Sequence, residues 1–440
     1  MNVETLDRFH QAFGLLAGRL PGARLPWLQC ARRCAFEQFG ALGFPTTRQE
    51  DWKYTNVAII ERRPLHFMTE GANHVSADRI RERVIDSSNH LLVFVDGRYV
   101  PVLSNIERIP DGAFVGSVAQ ALHTMPELLE AVISAQLAVN GFAALNAAFF
   151  TDGFVVALPR DTAIDEPIHV LFVTGEADLA VQPFNVVLAG TRSRCAIIEH
   201  FAGLNDASYL TNVATRIEVE EDAVVAHYRL QQEGTKACHI ASIDAAQQRA
   251  SRFASHAFAF GSALSRTDIG VSLNAEDAQT TLNGLYLAGG RQHVDHHTRI
   301  DHAKPHGTSR EYYRGVLDGA ARGVFNGKVV VHPDAQKTDT HQANHNLLLS
   351  RDAEIDTKPQ LEIFADDVKC THGATVGQLD ENQLFYLRAR GVEEPMARAL
   401  LTYAFARDIV ERVGIDSLRG WLEALLLARM PEGERIKELI

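Results

Sequence analysis

The first part of the chain has apolar residues at every third or fourth position, which is the spacing of an amphipathic helix. The first such segment is marked by Leu6, Phe9, Phe13 and Leu16. A second helix is predicted over residues 27–39. Two β-rich runs, 91–95 and 99–100, then flank Asp96-Gly97, a dipeptide that supplies the positive φ angles of a tight hairpin turn. The pattern predicts a mostly helical N-terminal domain with a β-hairpin over residues 1–135.

Residues 136–375 carry a different pattern, in which short β-rich runs follow one another with little helical periodicity between them. The clearest runs are 154–158, 169–173, 185–188, 195–198, 215–219 and 224–228. A β-sandwich usually spans only about 100 residues, whereas a solenoid can add turns of strand one after another. The length of this region therefore favours a β-solenoid, with a large barrel or sandwich as the alternative.

Residues 376–440 return to helical patterns. Asp380 and Gln383 resemble a capping box, and a further helix is predicted from Pro395 to about Val413. A final apolar stripe has the i, i+3, i+4, i+7 and i+8 spacing of one helix face: Leu418, Trp421, Leu422, Leu425 and Leu426. Such a stripe packs against the chain's own core or forms a surface for a partner, and the sequence leaves both open.

Composition narrows the class of protein. The 440 residues are 46% hydrophobic and 22% charged, which is ordinary for a globular protein. Lys and Arg total 43 against 55 Asp and Glu, and the net charge of −12 argues against non-specific binding to nucleic acid or anionic membranes. No apolar run approaches the ~20 residues of a membrane span, and the N-terminus lacks a signal-peptide pattern. The five scattered cysteines do not resemble a disulfide framework, so we expect a reduced, cytoplasmic protein.

Cys370 and His372 are the most specific candidates for chemistry. On an extended strand, residues i and i+2 project from the same face, so this thiol and imidazole can contact one ligand together. Thiolate and imidazole are ligands that iron, zinc and copper accept. Two ligands do not complete a closed metal site. The remaining ligands must come from elsewhere in the chain or from a second protein.

A second group of candidate ligands lies in a histidine-rich segment, with members His293, Asp295, His296, His297, Asp301, His302 and His306. Imidazole and carboxylate suit zinc or iron. The segment lacks a HExxH motif, however, and is predicted as strand, where an i, i+4 pair does not converge. Histidines that brace a β-structure through hydrogen bonds are the alternative. The same two interpretations apply to His341 and His345.

The other cysteines are predicted to be buried. Cys30 and Cys34 lie one helical turn apart, and Cys195 and Cys238 lie in apolar β-rich runs. Residues 323–329 resemble a phosphate-binding loop, but the glycine spacing is one residue short and no Ser or Thr follows the lysine. We therefore expect that the chain binds no nucleotide itself.

A series of motifs resembles the SufB/SufD family of iron–sulfur cluster assembly proteins. In order, the motifs are RGVLDG (314–319), RGVFNGK (322–328), QKTD (336–339), NLLLS (346–350), TKPQLEI (357–363), DVKCTHGATVG (367–377) and LFYLRARG (384–391). Residues 370–377 and the motif EDWKYT (50–55) resemble the SufD branch of the family. The chain also lacks the N-terminal CxxC-type motif of many SufB proteins.

The resemblance implies a right-handed parallel β-helix core flanked by helical N-terminal and C-terminal domains. It also implies a non-catalytic scaffold subunit of the SUF system, which pairs with a SufB-like subunit and carries a SufC-like ATPase on its C-terminal helices. In those helices we expect partner contacts at Leu384, Phe385, Tyr386, Leu400 and Phe405. Homodimerisation of the isolated chain is left open.

By the same resemblance, His372 matches a histidine that joins a SufB cysteine in holding a nascent iron–sulfur cluster, and Cys370 matches its neighbouring cysteine. A cluster that is built and then passed on needs incomplete, exchangeable ligation. His372 is the stronger ligand candidate, because Cys370 is equally well explained as a buried thiol at the interface. The alternative function is a β-helix enzyme, either a carbohydrate lyase or a mononuclear metal hydrolase that uses the histidines of 293–306.

Overall fold

The structure, a computed structural model, describes residues 3–67, 75–85, 90–134 and 140–438. The N-terminal part is mainly helical, in agreement with the apolar periodicity. Its helices are α1 (Val3–Leu16), α2 (Pro26–Leu42), α3 (Ala58–Glu61), α4 (Ala77–Arg81), α5 (Val118–Thr124), α6 (Pro126–Ser134) and α7 (Gly141–Phe149). Short 3₁₀ turns lie at Glu50–Trp52 and Pro101–Leu103.

Strands begin at residue 90 and dominate the chain up to residue 377. They are β1 (His90–Val95), β2 (Arg98–Tyr99), β3 (Asn105–Ile106), β4 (Phe114–Ser117), β5 (Phe154–Leu158), β6 (Ile168–Thr174), β7 (Ala180–Val181), β8 (Phe184–Ala189), β9 (Arg194–Gly203), β10 (Leu210–Val219), β11 (Val224–Gln232), β12 (Cys238–Gln247), β13 (Arg252–Ala259), β14 (Leu264–Leu273), β15 (Gln279–Ala288), β16 (His293–His302), β17 (Thr308–Leu317), β18 (Arg322–Val331), β19 (Asp339–Leu348), β20 (Glu354–Ile363) and β21 (Lys369–Gly377).

From β8 onward, successive strands alternate between two sheets. One sheet has the order β1-β6-β9-β11-β13-β15-β17-β19-β21, and the other has the order β5-β8-β10-β12-β14-β16-β18-β20. Neighbouring strands along both orders pair in parallel. Each turn of the chain adds one strand to each sheet, which builds a solenoid of about eight turns. The predicted parallel β-helix core with flanking helices is confirmed.

The turns of the solenoid differ in length, which hides the repeat in the sequence. Leu210 pairs with Cys238, 28 residues on, and Cys238 pairs with Leu264, 26 residues on. Further along, Arg322 pairs with Glu354, 32 residues on. Surface loops tolerate insertions and deletions as long as the strands they connect stay aligned. No fixed period is therefore visible along the chain.

The predicted hairpin is confirmed. β1 and β2 pair antiparallel around Asp96 and Gly97, whose φ angles are 50° and 80°. On its other side, β1 pairs in parallel with β6. The hairpin therefore also starts one of the two solenoid sheets.

The chain ends in α8 (Glu381–Ala389), α9 (Glu394–Val410), α10 (Asp416–Arg429) and α11 (Gly433–Lys437). Leu418, Leu422 and Leu426 of the apolar stripe are buried in one cluster with side chains on the outer face of the solenoid, among them Tyr228 and Phe258. The stripe thus packs against the chain's own core. No helix among the described residues is long and apolar enough to span a membrane.

Two of the four other cysteines are not where the sequence predicted them. Cys195 and Cys238 are buried, as expected, but Cys30 and Cys34 are exposed on α2. The buried face of this helix is formed instead by Leu28, Arg32, Ala35, Phe36 and Phe39.

Arg32 explains the error, because a charged residue occupies a core position that the hydrophobic pattern does not assign to it. Its guanidinium lies 3.8 Å from the centroid of the Phe150 ring and donates hydrogen bonds to the main-chain carbonyls of Ala148 and Phe150. These contacts turn the Cys30–Cys34 face of α2 towards solvent.

Candidate functional site

Both sheets of the solenoid end in a strand that has a neighbour on one side only. Among the described strands, β21 pairs with β19 and β20 pairs with β18. Every residue of β21 except Cys370 is exposed, and β20 is half-buried or exposed along its whole length. An edge strand presents free backbone N–H and C=O groups that another chain can pair with. We refer to β20 and β21 together as the open end.

Cys370 and His372 both occupy positions that face the lumen, which is the interior enclosed by the two sheets. In register with β19, Cys370 pairs with Thr340 and His372 pairs with Gln342. Both residues of β19 are fully buried inside the solenoid. The predicted placement of the thiol and the imidazole on one face is confirmed. Because no described strand follows β21, these two side chains lie at the open end of the lumen.

The two candidate ligands differ in accessibility. Cys370 packs partly against the apolar core. Burial raises the pKa of its thiol, and the nearby Asp339 carboxylate adds a smaller effect in the same direction. A raised pKa disfavours the thiolate, which is the form that binds metal. His372 is exposed. On the opposite, outer face of β21, Thr371 Oγ1 lies 2.8 Å from Nδ1 of His341.

The histidine-rich segment forms β16, whose pleat places its candidate ligands on two faces. His296 is buried in the lumen, whereas His293, Asp295 and His297 lie on the outer face. There, His297 Nε2 lies 3.1 Å from Asp295 Oδ1, and His293 Nε2 lies 2.9 Å from Thr55 Oγ1. In the described part of the chain, no three His, Cys, Asp or Glu side chains are grouped so as to hold a metal ion.

The motif at residues 50–55 fastens the N-terminal part of the chain to the solenoid. Arg266 donates a 2.8 Å hydrogen bond to Asp295 Oδ2, and its guanidinium lies 3.7 Å from the centroid of the Trp52 ring. Thr55 donates to the same carboxylate oxygen at 2.5 Å. Burial opposes the ionisation of Asp295, yet Arg266 and His297 hold the pKa of its carboxyl well below the usual range. The sequence links this motif only to the family resemblance, and nothing in it indicates the contacts of Trp52 and Thr55 with the solenoid.

The predicted partner-binding residues fall into two groups. Phe385 and Tyr386 are exposed on α8, by 74% and 56%. Leu384 is buried, while Leu400 and Phe405 are partly buried against the apolar cluster between α9 and the solenoid. Only the first group is accessible to another protein in this chain alone.

Three apolar side chains at the open end were not singled out from the sequence. Ile363, Phe364 and Val376 are exposed by 42%, 61% and 49%. Apolar residues are ordinary in β-strands, so their sequence gives no sign of exposure. These residues are exposed because they lie on or beside β20 and β21, the strands at the open end. That position follows only from the strand order.

Two family profiles match consecutive parts of the chain. The profile described as "SufBD protein N-terminal region" matches residues 9–170. The profile described as "SUF system FeS cluster assembly, SufBD core domain" matches residues 172–405, which include the whole alternating part of the solenoid and the open end.

Several known proteins are similar over nearly their full length. An iron–sulfur cluster assembly SufBD family protein of Synechocystis is 32% identical over 410 residues, covering 90% of each chain. The iron–sulfur cluster assembly protein SufD of Escherichia coli is 32% identical, covering 91% of this chain and 92% of its own. The SufD protein of Bacillus subtilis is 24% identical, covering 91% and 93%.

Proposed function

The chain belongs to the SufBD family of iron–sulfur cluster assembly proteins, and on this premise we propose that it is a non-catalytic scaffold subunit that holds a nascent cluster at an interface with a SufB-like subunit. The observation that carries the proposal is the position of Cys370 and His372 on the last, one-sided strand of the solenoid. Candidate ligands at an open edge are available to a second protein, whereas ligands in a core are not.

The open end is suited to docking a protein that adds strands. The backbone groups on the free side of β21 offer hydrogen bonds, and an added strand gains affinity from them. Ile363, Phe364 and Val376 supply apolar area beside those groups. A SufB-like subunit with a similar solenoid would extend both sheets across the interface and cover these side chains.

His372 is the residue that we assign to the cluster. Its imidazole is exposed at the end of the lumen, where a cluster held between two subunits can reach it. The ligands that this chain does not provide would be cysteines of the partner, because thiolates are the usual ligands of iron–sulfur clusters. Cys370 is half-buried and has a raised thiol pKa, so we assign it a supporting place beside His372. The cluster is cargo, and its incomplete ligation allows it to leave this site.

We also assign the C-terminal helices to an ATPase of the SufC type. Phe385 and Tyr386 are adjacent, exposed and aromatic, which is unusual outside an interaction surface. The Arg390 guanidinium lies 3.6 Å from the centroid of the Tyr386 ring and fixes its orientation. Leu384, Leu400 and Phe405 would support this surface from within, since they pack towards the chain's own core.

The proposal is tested by changing His372→Ala in the chain co-expressed with its SufB-like and ATPase partners. We expect the complex to assemble normally and its iron and acid-labile sulfide content after reconstitution to fall by about tenfold or more. Loss of a residue that only hydrogen-bonds a metal ligand already has an effect of about this size, and loss of the ligand itself should cost at least as much. Cys370→Ala is expected to have a smaller effect. His341→Ala is the matched control, since this histidine lies on the outer face of the neighbouring strand.

A His372→Ala complex with a normal cluster yield would rule out the assignment of His372. Failure of the His341→Ala complex to assemble clusters would show that the effect is not specific to the lumen-facing position. Cys195 is buried early in the solenoid, and Cys195→Ala is expected to leave cluster assembly unchanged.

A further inference from the structure

The lumen has stacked aromatic rings at its beginning and carries buried polar side chains further on, from Glu199, His227 and Arg229 to the open end. At the beginning, Phe94, Phe172 and Phe201 stack with ring centroids 4.7 and 4.8 Å apart. Towards the open end, four of the five lumen-facing positions of β19 carry buried polar residues, Thr340, Gln342, Asn344 and Asn346, and the fifth carries Leu348. Burying polar groups costs free energy unless they are hydrogen-bonded, so each of these polar side chains needs a partner inside the lumen.

One column of side chains leads from His372 into the lumen. His372 pairs with Gln342 of β19, and Gln342 pairs with Glu311 of β17. Gln342 Nε2 donates a 2.6 Å hydrogen bond to Glu311 Oε2. Gly327, on the opposite sheet, provides the space for the Gln342 amide, because a Cβ at this position would collide with it. Neighbouring strands are about 4.8 Å apart, so Glu311 lies roughly 10 Å from the level of His372.

Polar atoms along this column have hydrogen-bonding capacity that the described side chains do not fill. Among the described residues, the buried atoms Gln342 Oε1 and His296 Nε2 have no hydrogen-bond partner, and Thr298 Oγ1 and Glu311 Oε1 have none besides each other. Thr298 projects from β16 towards Glu311 and stabilises its carboxylate. Buried water typically serves such atoms and makes about three hydrogen bonds to them. These atoms give the lumen beside Glu311 a polar lining that suits bound water.

Among the described side chains around Gln342, Glu311 is the one whose pKa lies near neutral pH. Burial raises the pKa of its carboxyl to about 7, against the opposing effects of Gln342 and Thr298. Burial, together with the smaller effect of Arg229, lowers the pKa of His296 on β16 to about 4. Burial also raises the pKa of Tyr313, on the same strand as Glu311, well above its usual range, while Arg229 opposes that shift.

The remaining elements packed around Glu311 present uncharged side chains. On β15 its register partner is Leu282, and on β18 the position facing Gln342 is Gly327. His296 and Tyr313 therefore stay neutral where Glu311 changes its charge. Glu311 is therefore the described side chain in this part of the lumen that is able to take up a proton near neutral pH.

We propose that Glu311 is the proton acceptor of the cluster site at His372, reached through water in the lumen. The inference rests on the proposed function. A hydrosulfide ion that becomes a bridging sulfide between iron ions loses one proton: its S–H bond breaks, the electron pair stays on sulfur, and an O–H bond forms on the Glu311 carboxylate. No oxidant or reductant is needed. Gln342 is a positioning residue that holds the carboxylate in the column.

The first test is an infrared pH titration of the full chain in complex with its SufB-like and ATPase partners, without added iron or sulfide. We expect a carboxylic-acid C=O band that disappears as the pH rises through about 7, as the pKa raised by burial requires. The band should be missing in Glu311→Gln and retained in Glu362→Gln, a control at an exposed glutamate of β20. A wild-type complex without such a band, or a band that survives Glu311→Gln, would overturn the assignment.

Gln342→Leu provides a second variant that keeps the carboxyl and removes the amide. Because the amide stabilises the carboxylate, its loss should move the midpoint of the infrared titration to higher pH. A purely structural role of Gln342 would leave the midpoint unchanged. An unchanged midpoint would overturn the positioning role of Gln342 in this proposal.

The second test measures the initial rate of cluster formation against pH. We expect Glu311→Gln to assemble the complex normally, to form clusters about tenfold or more slowly, and to lose the rise in rate through neutral pH. A wild-type rate and pH profile in this variant would refute the proposal. If His372→Ala retains normal cluster yield, the proposed function fails and the proton role falls with it, although the infrared titration of Glu311 would still be observed. The two failures are thereby distinguished.

Discussion

At the scale of single residues, Asp295 joins two distant parts of the chain. It is fully buried, accepts hydrogen bonds from Arg266 and Thr55, and lies close to His297. Arg266 in turn lies against the Trp52 ring, so the Thr55 hydroxyl and the Trp52 ring hold the segment 50–55 to an ion pair of the solenoid. Removing one partner of a buried pair leaves the other charge uncompensated, which costs far more than the pair itself contributes.

We therefore predict that Asp295→Asn lowers the free energy of unfolding by about 3–5 kcal/mol, measured by urea denaturation. The control is Asp301→Asn on the outer face of the same strand, which pairs with Arg299 near the surface and should cost at most about 1 kcal/mol. Equal losses in the two variants would contradict the clamp.

The pH dependence of this difference follows from the lowered pKa of Asp295. A carboxyl with a depressed folded-state pKa stabilises the protein above the unfolded pKa of about 3.9, and that contribution is lost as the pH falls towards the folded value. The difference between the wild type and Asp295→Asn should be constant from about pH 5 to 8 and should shrink in acid.

At the scale of elements, glycines inside strands make room for the side chains of neighbouring turns. A Cβ at Gly284 of β15 would collide with the Tyr313 ring, and a Cβ at Gly315 of β17 would collide with the Tyr286 ring. Both tyrosines are fully buried in the lumen. A glycine in a strand interior usually marks such a close approach.

We predict that Gly315→Ala lowers the free energy of unfolding by about 1–3 kcal/mol, because the added methyl overpacks the lumen. Gly373→Ala in β21 is the matched control, since nothing lies within 4 Å of a Cβ there, and it should change stability by at most about 0.5 kcal/mol. Urea denaturation of both variants tests this. A Gly315→Ala chain as stable as the wild type would contradict the packing argument.

At the scale of the whole molecule, the C-terminal helices have an inner surface that packs on the solenoid and an outer surface that we assign to partner binding. Their inner surface covers Tyr228, Phe258 and Leu285 on the outer face of the solenoid. Deleting the helices would expose this apolar area and unfold or aggregate the chain, whatever they bind. Substitutions on the outer surface separate partner binding from stability.

We predict that the double substitution Phe385→Ala with Tyr386→Ala abolishes co-purification of an ABC-type ATPase and leaves the Tm unchanged. Two exposed aromatic anchors typically carry several kcal/mol of binding energy, about 2 kcal/mol or more each when they are hot spots. Leu15→Ala is the control, because Leu15 on α1 is also exposed by 74%. Retention of the ATPase by the double variant would contradict this docking surface.

Much of the architecture was predictable from local patterns. The helices of the N-terminal part, the Asp96-Gly97 hairpin and the β-rich runs all follow from spacing and turn chemistry, which act between residues close in sequence. The prediction for Cys30 and Cys34 was wrong because Arg32, a charged residue, occupies a buried position on α2. That contact depends on Phe150, more than a hundred residues away, and no local pattern encodes it.

The sequence by itself determined that Cys370 and His372 share one face of a strand, because the pleat of a β-strand alternates every residue wherever the strand lies. Only the tertiary structure decided that this face is the lumen, that the strand is the last of its sheet, and that a polar column leads inward to Glu311. Those facts depend on the stacking of turns 26 to 32 residues apart, whose register is set by contacts between distant strands.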